Sequence, residues 1–154
     1  MKSKLDTRAY VSILKDLVEQ GEEVNMYVLG SSMAPFVVHK RDVIYFKQPK
    51  RKLKKGDIAF FKRRNGQYVV HRIYKIKGDD YYFVGDNQTM IEGPIKRNQI
   101  FAIVTKVKRK DKIIKPGDFW WEFFSKVWIR IIPIRCLFVK GYKFIKKGSK
   151  KWNQ

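Results

Sequence analysis

Gln67-Tyr68-Val69-Val70-His71-Arg72-Ile73-Tyr74-Lys75-Ile76 decides the class of fold. Branched and aromatic side chains dominate it, as they do on a pleated, half-buried surface, and its period is two rather than 3.6. That period puts His71 on the strand face opposite Val70 and Arg72. Asn65-Gly66, a strong two-residue hairpin cue, stands just before the run, and a second β-forming run, 58–61, precedes the turn. Working outward, further short runs of the same kind cover residues 24–29, 43–47, 81–84 and 100–107. Gly56-Asp57, Gly78-Asp79 and Gly93-Pro94 punctuate them. Short strands, tight turns and no intervening helix predict an antiparallel or mixed β-barrel or sandwich.

The flanks read differently. Over residues 7–20, Tyr10, Ile13, Leu14, Leu17 and Val18 recur at helical spacing, with Asp6 or Thr7 as a cap and Gly21 as a stop. This predicts an amphipathic helix whose apolar stripe packs on the domain. After Pro116-Gly117 comes Phe119-Trp120-Trp121-Glu122-Phe123-Phe124-Ser125-Lys126-Val127-Trp128-Ile129-Arg130, in which Glu122, Lys126 and Arg130 form one narrow polar stripe on a helix that Pro133 should kink or end. The organisation expected is an N-terminal amphipathic helix over 1–22, a β-domain over 23–112 and an aromatic, basic helical tail over 113–154.

Composition narrows the partners. Hydrophobic residues make up 44% of 154 residues, which excludes a disordered chain. The 35 basic against 14 acidic residues leave a net charge of +21, and such a field attracts polyanions, either nucleic acid or an anionic membrane face. Cys136 is the only cysteine, so an intrachain disulfide and a cysteine-built metal cage are excluded, and no cofactor is expected. Charges punctuate the first sixteen residues, so they do not read as a secretory signal and the body of the protein is expected in the cytoplasm. A membrane span through the tail is disfavoured, because each charge near a bilayer centre costs roughly 2.5 to 3.5 kcal/mol. The tail instead suits a peripheral position at the inner membrane face, with tryptophans in the headgroup layer and the Lys-rich end, Lys140 to Lys151, on anionic lipid.

Three short stretches can carry chemistry. Gly30-Ser31-Ser32-Met33-Ala34-Pro35 follows a predicted strand, and a proline-limited turn there could hold a serine hydroxyl outward as a nucleophile. It could equally be an ordinary turn. His71 is either a half-buried core histidine or a rigidly placed general base. Gly85-Asp86-Asn87 supplies a turn aspartate that could also orient an imidazole.

In chain order these stretches read Ser-Met-x-Pro, then Arg41-Asp42-Val43 or Gly56-Asp57-Ile58, then Val-Val-His-Arg-Ile, then Gly-Asp-Asn. The series, over residues 28 to about 108, resembles the signal peptidase I superfamily, in particular its endoplasmic-reticulum and archaeal branch with a histidine base. The resemblance implies a signal-peptidase or LexA-like β fold and a serine peptidase that cleaves a leader or signal-like peptide bound in extended form. It also implies Ser32 as nucleophile, His71 as base and Asp86 as orienting acid, with Glu92 at the family's further acidic position. Gly30 replaces a serine that serves the oxyanion in the family, which leaves the Ser32 N–H and the Ser31 hydroxyl for that task. His39, the only other histidine, is expected to be dispensable. A more distant resemblance is to LexA-type self-cleaving repressors, which use a lysine base; Lys75 and Lys77 share the strand of His71 but do not take its place in the motif. The competing readings are a relative without catalysis that binds peptide or membrane, and a single-strand nucleic-acid platform built on Tyr45, Phe46, Phe60, Phe61, Tyr68, Tyr74, Tyr81 and Tyr82.

Overall fold

The computed structural model describes residues 2–135, 137 and 140, with side chains from residue 7 onward. Cys136 and, apart from Lys140, the Lys-rich end lie outside the described residues.

The predicted runs all form strands: β1 (Val24–Tyr27), β2 (Asp42–Lys47), β3 (Ile58–Lys62), β4 (Tyr68–Lys77), β5 (Asp80–Val84) and β7 (Ile100–Arg109). Two more join them, β6 (Glu92–Lys96) and β8 (Lys112–Ile114). All pairings are antiparallel, in the order β1-β2-β7-β3-β4-β5-β6 with β8 on β7. The sequence hid β6 because Gly93-Pro94 punctuates it; proline cannot donate to a ladder, and the sheet accommodates it because β6 is a terminal strand. Register shifts in β2, β3, β4 and β5 bend the sheet. One core gathers around Phe36, Phe46, Phe60 and Val107, the other around Phe61, Ile73 and Phe83.

Helix α1 (Lys2–Glu19) begins earlier than its capping residues suggested. It ends in a Schellman motif: Gly21 at φ +95 donates to the Val18 carbonyl and Glu22 to that of Leu17. The buried stripe is Val11, Leu14 and Val18, whereas Tyr10, Ile13 and Leu17 are exposed. The predicted stripe mixed the two sets. Both are apolar at helical spacing one residue apart, so periodicity alone does not choose which of them faces inward.

The tail departs from a single regular helix. Helix α2 (Phe119–Glu122) runs into a π-helical turn, Phe123–Val127, and then a 3₁₀ turn, Trp128–Ile131. Helical backbone continues through Pro133 to residue 135, with the irregular turns placed upstream of the proline whose ring and missing N–H disturb the preceding turn. Trp121 and Phe124 close on Phe36 at ring distances of 5.7 and 5.0 Å, so one side of the tail covers the first core. Among the described residues no helix is long and apolar enough to cross a membrane.

Candidate active site

The serine stretch leaves β1 as a tight loop whose two ends are tied down. Val28 and Lys40 close its base through hydrogen bonds to Asp42 and Val28 carbonyls. The fully buried Asp42 carboxylate accepts from Val38 N at 2.9 Å and from Arg41 at 2.8 and 3.0 Å. Met33 and Val37 are buried beneath the loop and anchor its inner side. At the start of the loop, Gly30 sits at φ +89 and donates its N–H to His39 Nδ1 at 2.8 Å. His39 thus belongs to the serine loop.

The Gly-Asp-Asn turn grips the loop from the other side. Asn87 donates its backbone N–H to the Ser32 carbonyl at 2.8 Å and its Nδ2 to the Ser31 carbonyl at 3.3 Å. Gly85 makes this approach possible: a Cβ there would stand 2.5 Å from Ser32 O, closer than atoms can come. Ser31 is exposed and Ser32 half-buried, and among the described residues no hydrogen bond engages the Ser32 hydroxyl.

His71 lies in the middle of β4, opposite Ala59 of β3. It is 4% exposed, with the Phe61 ring 6.3 Å away and Nδ1 buried without a hydrogen-bond partner. Burial pushes its pKa from 6.5 down to about 4; Glu92 pulls upward, Arg63 pushes further down and Asp86 pulls weakly upward. Ser32 and His71 line one open cleft of about 990 Å³, together with Met26, Leu29, Tyr68 and Gln88 and, from α1, Arg8 and Val11. No lysine lines it. Lys75 and Lys77 are exposed on β4, and Lys75 sits 5.9 Å over the Tyr82 ring.

The two acidic candidates are engaged elsewhere. Asp86, fully buried, accepts from Arg72 Nε at 2.8 Å and Nη2 at 2.7 Å, so its carboxylate binds the guanidinium next to His71 in sequence and makes no hydrogen bond to the imidazole. Arg72 also donates to Gly56 O and Ser125 Oγ and lies over the Phe36 ring. Glu92 takes Arg63 Nε at 2.7 Å and Nη2 at 2.5 Å. It acts on His71 through its field, more strongly than Asp86. The tail completes the support: Trp128 Nε1 donates to the Asp86 carbonyl at 2.8 Å, and buried Arg135 donates to the carbonyls of Gly85 and Gln88, both at 3.1 Å. Reading the sequence missed Asn87, Arg72, His39 and Arg135. Two of these, Arg72 and Asn87, stood inside the quoted motifs as neighbours of the residues singled out.

Half of the aromatics of the stacking platform lie inside the fold, whereas Tyr45, Tyr68, Tyr74 and Tyr82 stay half-buried with a lysine over each ring. Phe46, Phe60, Phe61 and Tyr81 are buried in the two cores, where no base can reach their faces.

A β-domain with a tethered serine loop beside a strand histidine defines a serine-peptidase-type fold. The Peptidase S24-like family model matches residues 2–108, and the chain belongs to that family. A search of curated proteins found no match. The match takes in α1 as well as the motif-bearing strands, and it favours the LexA-type side of the resemblance over the signal-peptidase branch.

Proposed function

We propose that this protein is a serine endopeptidase working through a Ser32–His71 dyad on a leader or signal-like peptide held in extended form. The observation that carries this reading is a cleft lined by both Ser32 and the strand-held His71; His39 lines it too, but its Nδ1 is taken up by the Gly30 N–H, and among the described residues no lysine lines it. Burial keeps the imidazole neutral at physiological pH, which is the form a base needs. Ser32 Oγ attacks the scissile carbonyl carbon while His71 takes the hydroxyl proton. The resulting oxyanion accepts from the Ser32 N–H and the Ser31 hydroxyl. As the C–N bond breaks, His71 returns the proton to the departing amine; water then attacks the acyl ester with His71 again as base, freeing Ser32 and a carboxylate product. Asp86 holds Arg72 in this scheme, and Glu92 rather than Asp86 supplies most of the negative field at the imidazolium. Because β1 is a terminal strand that leads directly into the serine loop, its outer edge suits a substrate added as a further strand.

A fluorophosphonate probe tests the chemistry. Mass spectrometry should find one adduct, at Ser32, in wild type, and none in folded Ser32→Ala or His71→Ala. A folded wild type that takes no adduct, or takes it elsewhere, overturns the dyad. Co-expression with small neighbouring open reading frames then tests the substrate: wild type, and not Ser32→Ala, should release a shortened peptide while keeping its own intact mass.

A further inference from the structure

We propose that the outer face of the C-terminal helical segment docks this protein on an anionic lipid bilayer surface. The inner face is already occupied: Trp121, Phe124, Ile129, Ile132 and Arg135 are buried. A helical segment packed in this way normally turns polar residues to water. Here the outward positions include Phe119, 73% exposed, Trp120, 53%, Val127, 48%, and Leu137, 67%. The Phe119 ring meets Trp120 at 5.1 Å and Phe123 at 6.3 Å, so the exposed aromatics form one continuous surface. Such a patch marks an interaction site.

Charge decides what it meets. Exposed Lys126 and Arg130 are interleaved with the apolar positions. From residue 119 to the end of the chain, nine basic residues accompany a single acidic one, Glu122, which is paired with Lys126. Nucleic acid would satisfy the charge and leave the aromatic surface in water, and a second copy would bring the same positive charge against itself. An anionic bilayer offers phosphates to the basic residues, a headgroup layer to Trp120 and hydrocarbon to Phe119 and Leu137. Neither Phe119 nor Trp120 lines the Ser32 cleft, so this surface is separate from the proposed chemistry.

Sedimentation of the full chain with vesicles tests it. Wild type should bind vesicles of phosphatidylglycerol and phosphatidylcholine about tenfold or more tightly than pure phosphatidylcholine, and less tightly as salt rises. Phe119→Ser/Trp120→Ser should weaken that binding by about tenfold or more at unchanged melting temperature. Lys126→Gln/Arg130→Gln should weaken it on the anionic vesicles alone. Ser32→Ala should bind as wild type does, which keeps this test apart from the catalytic one. No binding to the anionic vesicles, or full binding by the aromatic double variant, overturns the proposal. So does lipid-free dimerisation of wild type abolished by that double variant, since it would assign the face to a second copy.

Discussion

His71 is the residue at which burial and chemistry meet. Its folded pKa of about 4 lies below the ordinary 6.5, so between these values the unfolded chain takes up a proton that the native state refuses. Folding stability is therefore complete above about pH 6.5, declines as pH falls, and levels off near pH 4 at a loss of roughly 3 kcal/mol. Denaturant titrations across this range should show the decline in wild type and a flatter profile in His71→Phe. The same depression moves the acid limb of kcat/KM on a peptide substrate to near pH 4, and an acid limb near 6.5 would deny His71 the role of base. Asp86 behaves otherwise. Asp86→Asn leaves the Arg72 guanidinium buried without its countercharge, which should cost about 3–5 kcal/mol in chemical denaturation. A carboxylate that oriented His71 directly would instead affect turnover with stability largely kept.

Two loops and the tail form the working unit at the scale of elements. The serine loop, the 85–88 turn and the 119–135 segment are stacked through Asn87, Trp128 and Arg135. Gly85→Ala would drive a methyl group toward Ser32 O and Gln88 Oε1, at 2.5 and 2.8 Å, and should destabilise by about 1–3 kcal/mol while displacing the serine loop. The signature is a fall in fluorophosphonate labelling larger than the loss of folded protein. Arg135→Ala removes four hydrogen bonds to backbone carbonyls, two to Gly85 and Gln88 of that turn and two to Trp128 of the tail, and should cost about 3 kcal/mol in thermal or denaturant unfolding. An Arg135→Ala protein as stable as wild type would show that the tail is no structural part of the site.

Charge is a property of the whole molecule. With a net charge of +21 the folded chain repels itself over distances comparable to the Debye length, about 10 Å at 0.1 M salt. The melting temperature should therefore rise as sodium chloride is raised from low concentration to about 0.5 M, where that length shrinks to a few ångströms. A scanning calorimetry series checks this. A flat response would mean that ion pairs such as Arg51–Asp57 and Arg63–Glu92 neutralise the field locally.

Read alone, the sequence determined what local rules govern: strands where branched and aromatic residues alternate, a helix before Gly21, turns at Asn65-Gly66 and Gly85-Asp86, and the order in which Ser32 and His71 stand on loop and strand. Those features follow from steric preference and period, which act over a few residues. It hid β6, because a proline in a terminal strand reads as a break, and it misassigned the buried stripe of α1, because two apolar stripes lie one residue apart. Only the tertiary structure decided that Asp86 serves Arg72, that His39 holds Gly30, that Asn87 grips the serine loop and that Arg135 reaches back under the 85–88 turn. Each of these choices is a competition for one hydrogen-bond partner among groups up to 56 residues apart in the chain, and only packing determines which donor reaches it first.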